Sequence, residues 1–286
     1  MPERDGYIPG VPCWVDTQQP DPAAALSFYG GLFGWDFVNA MPEGAGGEYH
    51  MAQIRGRDVA AVGGIPDGAP RTATWNTYIA VADADEAAAK ARAAGGTVYM
   101  EPFDVMDAGR MAVIADPDAA VFCVWQAKEN FGAKVVNEHG AVNFNRLATH
   151  DVEQAERFYG AVFGWRILPL DSGSMWVLPG YGDHLESKSP GLREQMGQMG
   201  APDGFIDVVA SVTPMAADDA GTPAHWSVVF GVDDADATAA KAAELGGKIV
   251  EAPHDAPWTR VTVIDDPQGA TFVANQFVAE NRDLKA

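Results

Sequence analysis

The chain has 286 residues, 47% of them apolar, which is enough for two ordinary globular domains with cores of their own. A net charge of −21 argues against nucleic acid and anionic membrane surfaces as partners. With only two cysteines, Cys13 and Cys123, there is no disulfide framework; no apolar leader run or membrane-length segment is evident, and a cytoplasmic protein is expected.

Taken in chain order, the apolar alternation of residues 12–17 predicts a strand. Asp21-Pro22 then opens a helix, with Asp as N-cap and Pro in the first turn; Ala25, Phe28, Tyr29, Leu32 and Phe33 follow at helical spacing until Gly34. Residues 49–54 and 59–64 read as strands split by the turn Arg55-Gly56-Arg57-Asp58. The scheme then restarts with a strand at 75–81, a helix capped by Asp83 or Asp85 and ended by Gly95-Gly96, and strands at 97–100, 111–115 and 121–126. After a polar stretch at 134–140 the order recurs: Asp151 caps one helix, Asp234 another, and Gly246-Gly247 ends the latter.

The recurrence is a sequence repeat. Phe28-Tyr29-Gly30…Phe33-Gly34-Trp35 returns as Phe158-Tyr159-Gly160…Phe163-Gly164-Trp165 at an offset of 130, whereas Trp75 and Trp226 are 151 apart. Asp116-Pro117-Asp118-Ala119-Ala120 returns as Asp266-Pro267-Gln268-Gly269-Ala270 at an offset of 150. The second copy therefore carries about 20 extra residues, placed within 181–222. The reading is βαβββ four times over, an α+β class with mixed sheets, in two domains at 1–133 and 140–286.

These boxes in this order resemble the vicinal oxygen chelate superfamily of glyoxalase I, bleomycin-resistance proteins and extradiol dioxygenases. Pro12-Cys13-Trp14-Val15-Asp16 and Trp75-Asn76-Thr77-Tyr78-Ile79-Ala80-Val81 are similar to two-domain actinobacterial glyoxalase/hydroxylase-like proteins. The resemblance implies half-barrel sheets whose clefts, in many members, hold a divalent metal on His and Glu. The matching positions here carry Trp14, Asn76 and Cys123 in the first domain and Phe144, Ser227 and Val273 in the second. Trp, Phe and Val cannot ligate, and the other three are weak or isolated donors. For the fourth position, residues 59–65 hold no acid; in the second domain Glu186 is a candidate, with His184 on the same strand face and His225 near Ser227. The expectation is no metal and no cofactor, with His184, Glu186 and His225 as the residual metal candidates.

Strand alternation adds the neighbours that share the cleft face. In the first domain these are Trp14, Asp16, Asn76, Tyr78, Cys123 and Trp125; in the second they are Phe144, Arg146, His225, Ser227, Val273 and Asn275. Aromatic walls with a few polar groups suit an organic ligand, although the same rings could plug an unused cup. Trp258 has no aromatic counterpart, Ala108 standing at its matched position, and is a further binding candidate. The repeated pair Arg110 and Arg260 reads as structural ion pairing, and Trp75, Trp226 and the Phe-Tyr boxes read as core. The stretch 183–214, rich in Gly and Pro and containing Met196 and Met199, could form a lid or an elaborated surface loop. Whether the modules pair within each domain, or one with four and two with three, is left open, as is a homodimer.

The functional expectation is metal-independent binding of a small, mainly apolar or aromatic metabolite or antibiotic, by sequestration or with modest chemistry. The alternatives are a metal-dependent glyoxalase-like lyase or hydroxylase/dioxygenase using the second domain, and a degenerate domain pair kept for protein–protein contact.

Overall fold

The computed structural model describes residues 3–42, 44, 46–66, 68, 71–170, 173–216 and 221–284. The first module runs β1 (Pro12–Gln19), α1 (Pro22–Phe33), β2 (Asp36–Asn39), β3 (Tyr49–Ile54) and β4 (Arg57–Gly64). The second runs β5 (Thr74–Ala80), α2 (Ala84–Ala93), β6 (Thr97–Val105), β7 (Gly109–Ala115) and β8 (Val121–Ala127). The third runs β9 (Val142–Thr149), α3 (Val152–Phe163), β10 (Arg166–Leu170) and β11 (Gly173–Val177), then two short helices, α4 (Tyr181–Lys188) and α5 (Leu192–Gln198), before β12 (Val208–Pro214). The fourth runs β13 (His225–Gly231), α6 (Ala235–Glu244), β14 (Lys248–Ala256), β15 (Thr259–Asp265) and β16 (Thr271–Phe277).

Local chemistry sets the helix ends. Asp21, Asp83, Asp151 and Asp234 are extended N-caps whose side chains accept from Ala24, Glu86, Gln154 and Ala237 N–H groups. Gly34 and Gly164 close α1 and α3 in the left-handed conformation, φ 70° and 78°, where a Cβ would be strained. The hairpin between β3 and β4 is tighter than its sequence suggests: Arg55 and Gly56 alone form the turn, both at positive φ, and β4 starts at Arg57.

Modules one and two share one eight-stranded sheet, β2-β3-β4-β1-β5-β8-β7-β6, and modules three and four share another, β10-β11-β12-β9-β13-β16-β15-β14. Each sheet curls into a half-barrel around antiparallel central strands, β1 against β5 and β9 against β13. The convex faces follow the opposite pairing. One core joins Phe28, Phe33 and Trp35 of module one to Phe230 and Phe272 of module four; the other joins Phe122 and Ile114 of module two to Phe158 and Trp165 of module three. Both pairing schemes left open by the sequence are therefore present, on opposite faces of the same strands.

Polar bolts lock this crossing. Trp75 Nε1 donates to the Tyr29 hydroxyl at 3.0 Å, and that hydroxyl donates to Asp266 of the far half at 2.9 Å. Trp226, Tyr159 and Asp116 repeat the chain at 2.9 and 3.0 Å. Arg110 pairs with Asp85 and Arg260 with Asp236, each tying a helix N-terminal turn to its sheet, the structural role the repetition suggested.

The extra segment of the second copy is α4, α5 and a 3-10 turn at Phe205–Asp207; β12, though it falls inside 181–222, is the fourth strand of its module. The two helices were hidden in the sequence because each starts at a left-handed glycine, Gly180 and Gly191, with no side-chain cap of its own.

Candidate functional site: two unequal half-barrel cups

Register places all six first-domain candidates on one concave face. Trp14 pairs with Tyr78 and Asp16 with Asn76 across β1 and β5, and Tyr78 pairs with Cys123 and Ala80 with Trp125 across β5 and β8. Asp16 is only 3% exposed, yet its carboxylate accepts from Asn76 Nδ2 at 2.8 Å, Tyr78 OH at 2.7 Å and Tyr49 OH at 3.0 Å. Burial pushes its carboxyl above the usual range, and the three donors pull against that rise. Trp14 Nε1 donates to Tyr49, and Trp125 Nε1 donates to the Asn130 carbonyl at 2.7 Å. The Trp125 ring lies so close on Gly109 that no side chain fits there. Cys123 is buried and its thiol is pushed up mainly by that burial, the opposite of what a nucleophile needs. This cup is filled by its own rings and its polar groups are paired.

The second cup has the same plan with smaller parts. Repeat positions carry Phe144 for Trp14, Arg146 for Asp16, Ser227 for Asn76, Val229 for Tyr78, Val273 for Cys123 and Asn275 for Trp125. Gly173 stands where the sheet register puts Tyr49 in the first cup. Arg146 pairs across β9 with Ser227 on one side and Ser211 on the other, so the three share a face. The floor is apolar: Val229, Val263 and Val273 pack with Phe144 and Val261. Among the described residues, Arg146 Nε and Asn275 Oδ1 are buried without a hydrogen-bond partner. Burial lowers the guanidinium pKa, and the Glu251 carboxylate opposes that shift. Asn275 spends its amide on Asn143 Oδ1 at 2.6 Å. Full bonding in one cup contrasts with two orphaned polar atoms in the other.

The insertion lies over this second cup. A Cβ on Gly204 would sit 3.7 Å from Leu168, and one on Gly200 would sit 3.7 Å from the Trp258 ring. Trp258 itself is at positive φ, 64°, in the β14–β15 turn and stacks on Phe277 with ring centres 6.2 Å apart. It stands at the rim, where the insertion reaches the far side, and does not belong to the floor.

The residual metal candidates do not come together. His184 and Glu186 lie on α4, not on a strand, and residues two apart on a helix do not share a face. Glu186 accepts from the Arg193 and Gly191 N–H groups, which hold its carboxyl below the usual range; it caps α5. His184 stacks on Tyr181, and His225, exposed at the start of β13, contacts the Pro223 carbonyl at 2.9 Å through Nδ1. The strand of the fourth ligand position is β12, which offers Ser211 and Thr213; its counterpart β4 offers Ala61 and Gly63. No group of three or more His, Cys, Asp or Glu side chains suited to a metal occurs among the described residues. The donor set at the family's positions does not fit a divalent ion. Tyr49, by contrast, belongs to the first cup and was missed; its aromatic ring at an alternating position of β3 was the available signal.

Comparison with known proteins agrees with the architecture. The pattern of the Glyoxalase/Bleomycin resistance protein/Dioxygenase superfamily matches residues 14–124 and 141–273. CFP32 of Mycobacterium tuberculosis, which carries a provisional glyoxylase name, is 42% identical over 275 residues, covering 95% of this chain and 97% of its own. The anthracycline biosynthesis protein DauV of Streptomyces sp. is 37% identical over 281 residues, covering 93% of both chains. Among solved structures, the 2,3-dioxygenase LapB of Pseudomonas sp. KL28 superposes with a TM-score of 0.58 at 12% identity, over 94% of this chain and 93% of its own, a likeness of fold alone. Two matched segments, one per half-barrel, and relatives alike over nearly the whole length make this chain a member of the glyoxalase/bleomycin resistance protein/dioxygenase superfamily.

Proposed function

We propose that the second half-barrel binds a small, mainly apolar or aromatic organic molecule bearing an oxygen acceptor, without a metal. The ligand is sequestered there or undergoes modest chemistry assisted by Arg146. The observation that carries this reading is the half-buried Arg146, whose Nε is enclosed without a partner among the described residues beside an apolar floor, where the equivalent Asp16 has three donors. An enclosed N–H of a charged group left unbonded is costly, and a ligand carboxylate, phenolate or quinone oxygen would relieve that cost. The Val-lined floor and Trp258 at the rim suit a flat ring. The name of the relative DauV supports a polycyclic aromatic ligand, since anthracyclines are built on such rings. No helix among the described residues is long and apolar enough to cross a membrane, in keeping with action in the cytoplasm.

Thermal melts of the whole chain against polycyclic hydroxyquinones test the reading. Stabilisation that grows with ligand concentration in the native chain and is absent in Arg146→Met is the expected result. Stoichiometric metal in untagged protein, together with a melt that collapses on adding chelator, would overturn it.

A further inference from the structure

At the N-terminal ends of β9 and β12, beneath the insertion, lies a cavity of about 170 Å³. Its wall combines Phe144 and Val209 of the second sheet, Leu185, Met196 and Phe205 of the insertion, and Arg4 of the N-terminal arm. Arg146 is not part of that wall, so the cavity is distinct from the polar centre of the cup. Phe144 stands between the two: it packs on the Val229–Val263–Val273 floor and also faces the cavity.

Three features mark the cavity as a built site. Its volume matches a single ring, since an apolar cavity of roughly 150 Å³ takes up benzene. Arg4 Nε is buried there without a hydrogen-bond partner among the described residues. The roof is lightly held: α5 has no buried residue, its starting glycine, Gly191, makes no side-chain cap bond, and at that end it is tied to α4 by the Glu186 carboxylate and an exposed Arg193–Asp183 pair. Met196, on the inner side of this helix, is a flexible side chain that can adapt to a ring.

We propose that this cavity is a second ligand site, for a single-ring aromatic carboxylate. The ring lies between Phe144, Phe205 and Met196, and the carboxylate meets Arg4. Such a molecule brings the acceptor that Arg4 Nε lacks, and its ring packs on the apolar part of a wall that also holds Asn137, Asn143 and Asn145. Entry is from the insertion side.

The test is a benzoate titration of the whole chain carrying ¹³C-methyl methionine, with toluene as the uncharged probe. The Met196 methyl resonance, assigned by its loss in Met196→Trp, is expected to shift saturably with benzoate and only weakly with toluene. Arg4→Gln is expected to weaken benzoate about tenfold, the low end for loss of a hydrogen bond to a charged group. Met196→Trp fills the cavity and is expected to abolish saturable binding, followed on the remaining methionine methyls, with an unchanged melt. Arg146→Met is expected to leave benzoate affinity intact, which separates this site from the cup and from the reading given for it above. No saturable shift at Met196, equal affinity in Arg4→Gln, or loss of binding in Arg146→Met would each overturn the proposal.

Discussion

Replacing Arg146 by Met removes a half-buried guanidinium with an enclosed Nε while keeping most of its apolar stem. In the folded chain Arg146 Nε has no partner among the described residues, and burial lowers the guanidinium pKa. A polar group left unsatisfied in the interior costs about 1–3 kcal/mol, so Arg146→Met is expected to stabilise the ligand-free chain by about 1–2 kcal/mol. For a chain of this size that is a rise in Tm of about 2–6 °C. The same substitution is expected to weaken an acceptor-bearing aromatic ligand by about ten- to a hundredfold, the equivalent of one charge-assisted hydrogen bond. Urea and thermal melts with and without ligand measure both effects on one sample. A variant that melts lower than the native chain would show that Arg146 already has a structural partner, with Glu251 the first suspect, and would refute the reasoning.

Four further outcomes follow from the geometry. Tyr29→Phe breaks the Trp75–Tyr29–Asp266 chain between the halves and is expected to cost about 1–3 kcal/mol in urea unfolding, with Tyr159→Phe costing a similar amount. Asp16 has its carboxyl raised by burial, so the folded state holds this proton more tightly than the unfolded one; its contribution to stability is full below the ordinary aspartate range near about pH 4 and is lost as pH rises through the raised value. Asp16→Asn should remove that slope from a series of urea melts, while placing an amide against three donors at a cost of about 1–3 kcal/mol. Glu186→Ala frees two backbone N–H groups of α5 and is expected to speed proteolytic cutting in the insertion several-fold with Tm nearly unchanged, as read by limited digestion. Chelator or added zinc, manganese or iron is expected to move the melt by less than about 1 °C, because a tightly bound ion would shift it far more by mass action.

Much of the architecture was legible because it rests on local chemistry repeated four times. Asp caps, glycine stops and the Phe-Tyr and Asp-Pro boxes fix the helices and the module order, and alternation along β1, β5 and β8 puts six cup residues on one face. What failed depends on long-range register or on tertiary packing. Tyr49 reaches Asp16 only because β3 pairs with β4, which runs parallel to β1, a relation that adjacency in sequence does not disclose. His184 and Glu186 were set on a strand because their spacing of two fits one, whereas their segment is a helix begun by Gly180 without a capping side chain. The difference between a filled cup and one with orphaned polar atoms was also out of reach. The substitutions were visible, but whether Arg146 finds a partner depends on every strand around it.

The crossing of the two halves has a consequence for how such a chain can change. Every central strand serves two masters: its concave side belongs to its own cup, and its convex side to a core shared with the other half. Each half owns a complete sheet, yet separating the halves would expose Phe28, Phe33 and Trp35, which pack on Phe230 and Phe272 of the other half. Variation on the concave sides is free of that bond. One cup can close around Asp16 and its tyrosines while its twin leaves Arg146 Nε unbonded among the described residues, because the seam behind them is built from the opposite faces of the same strands.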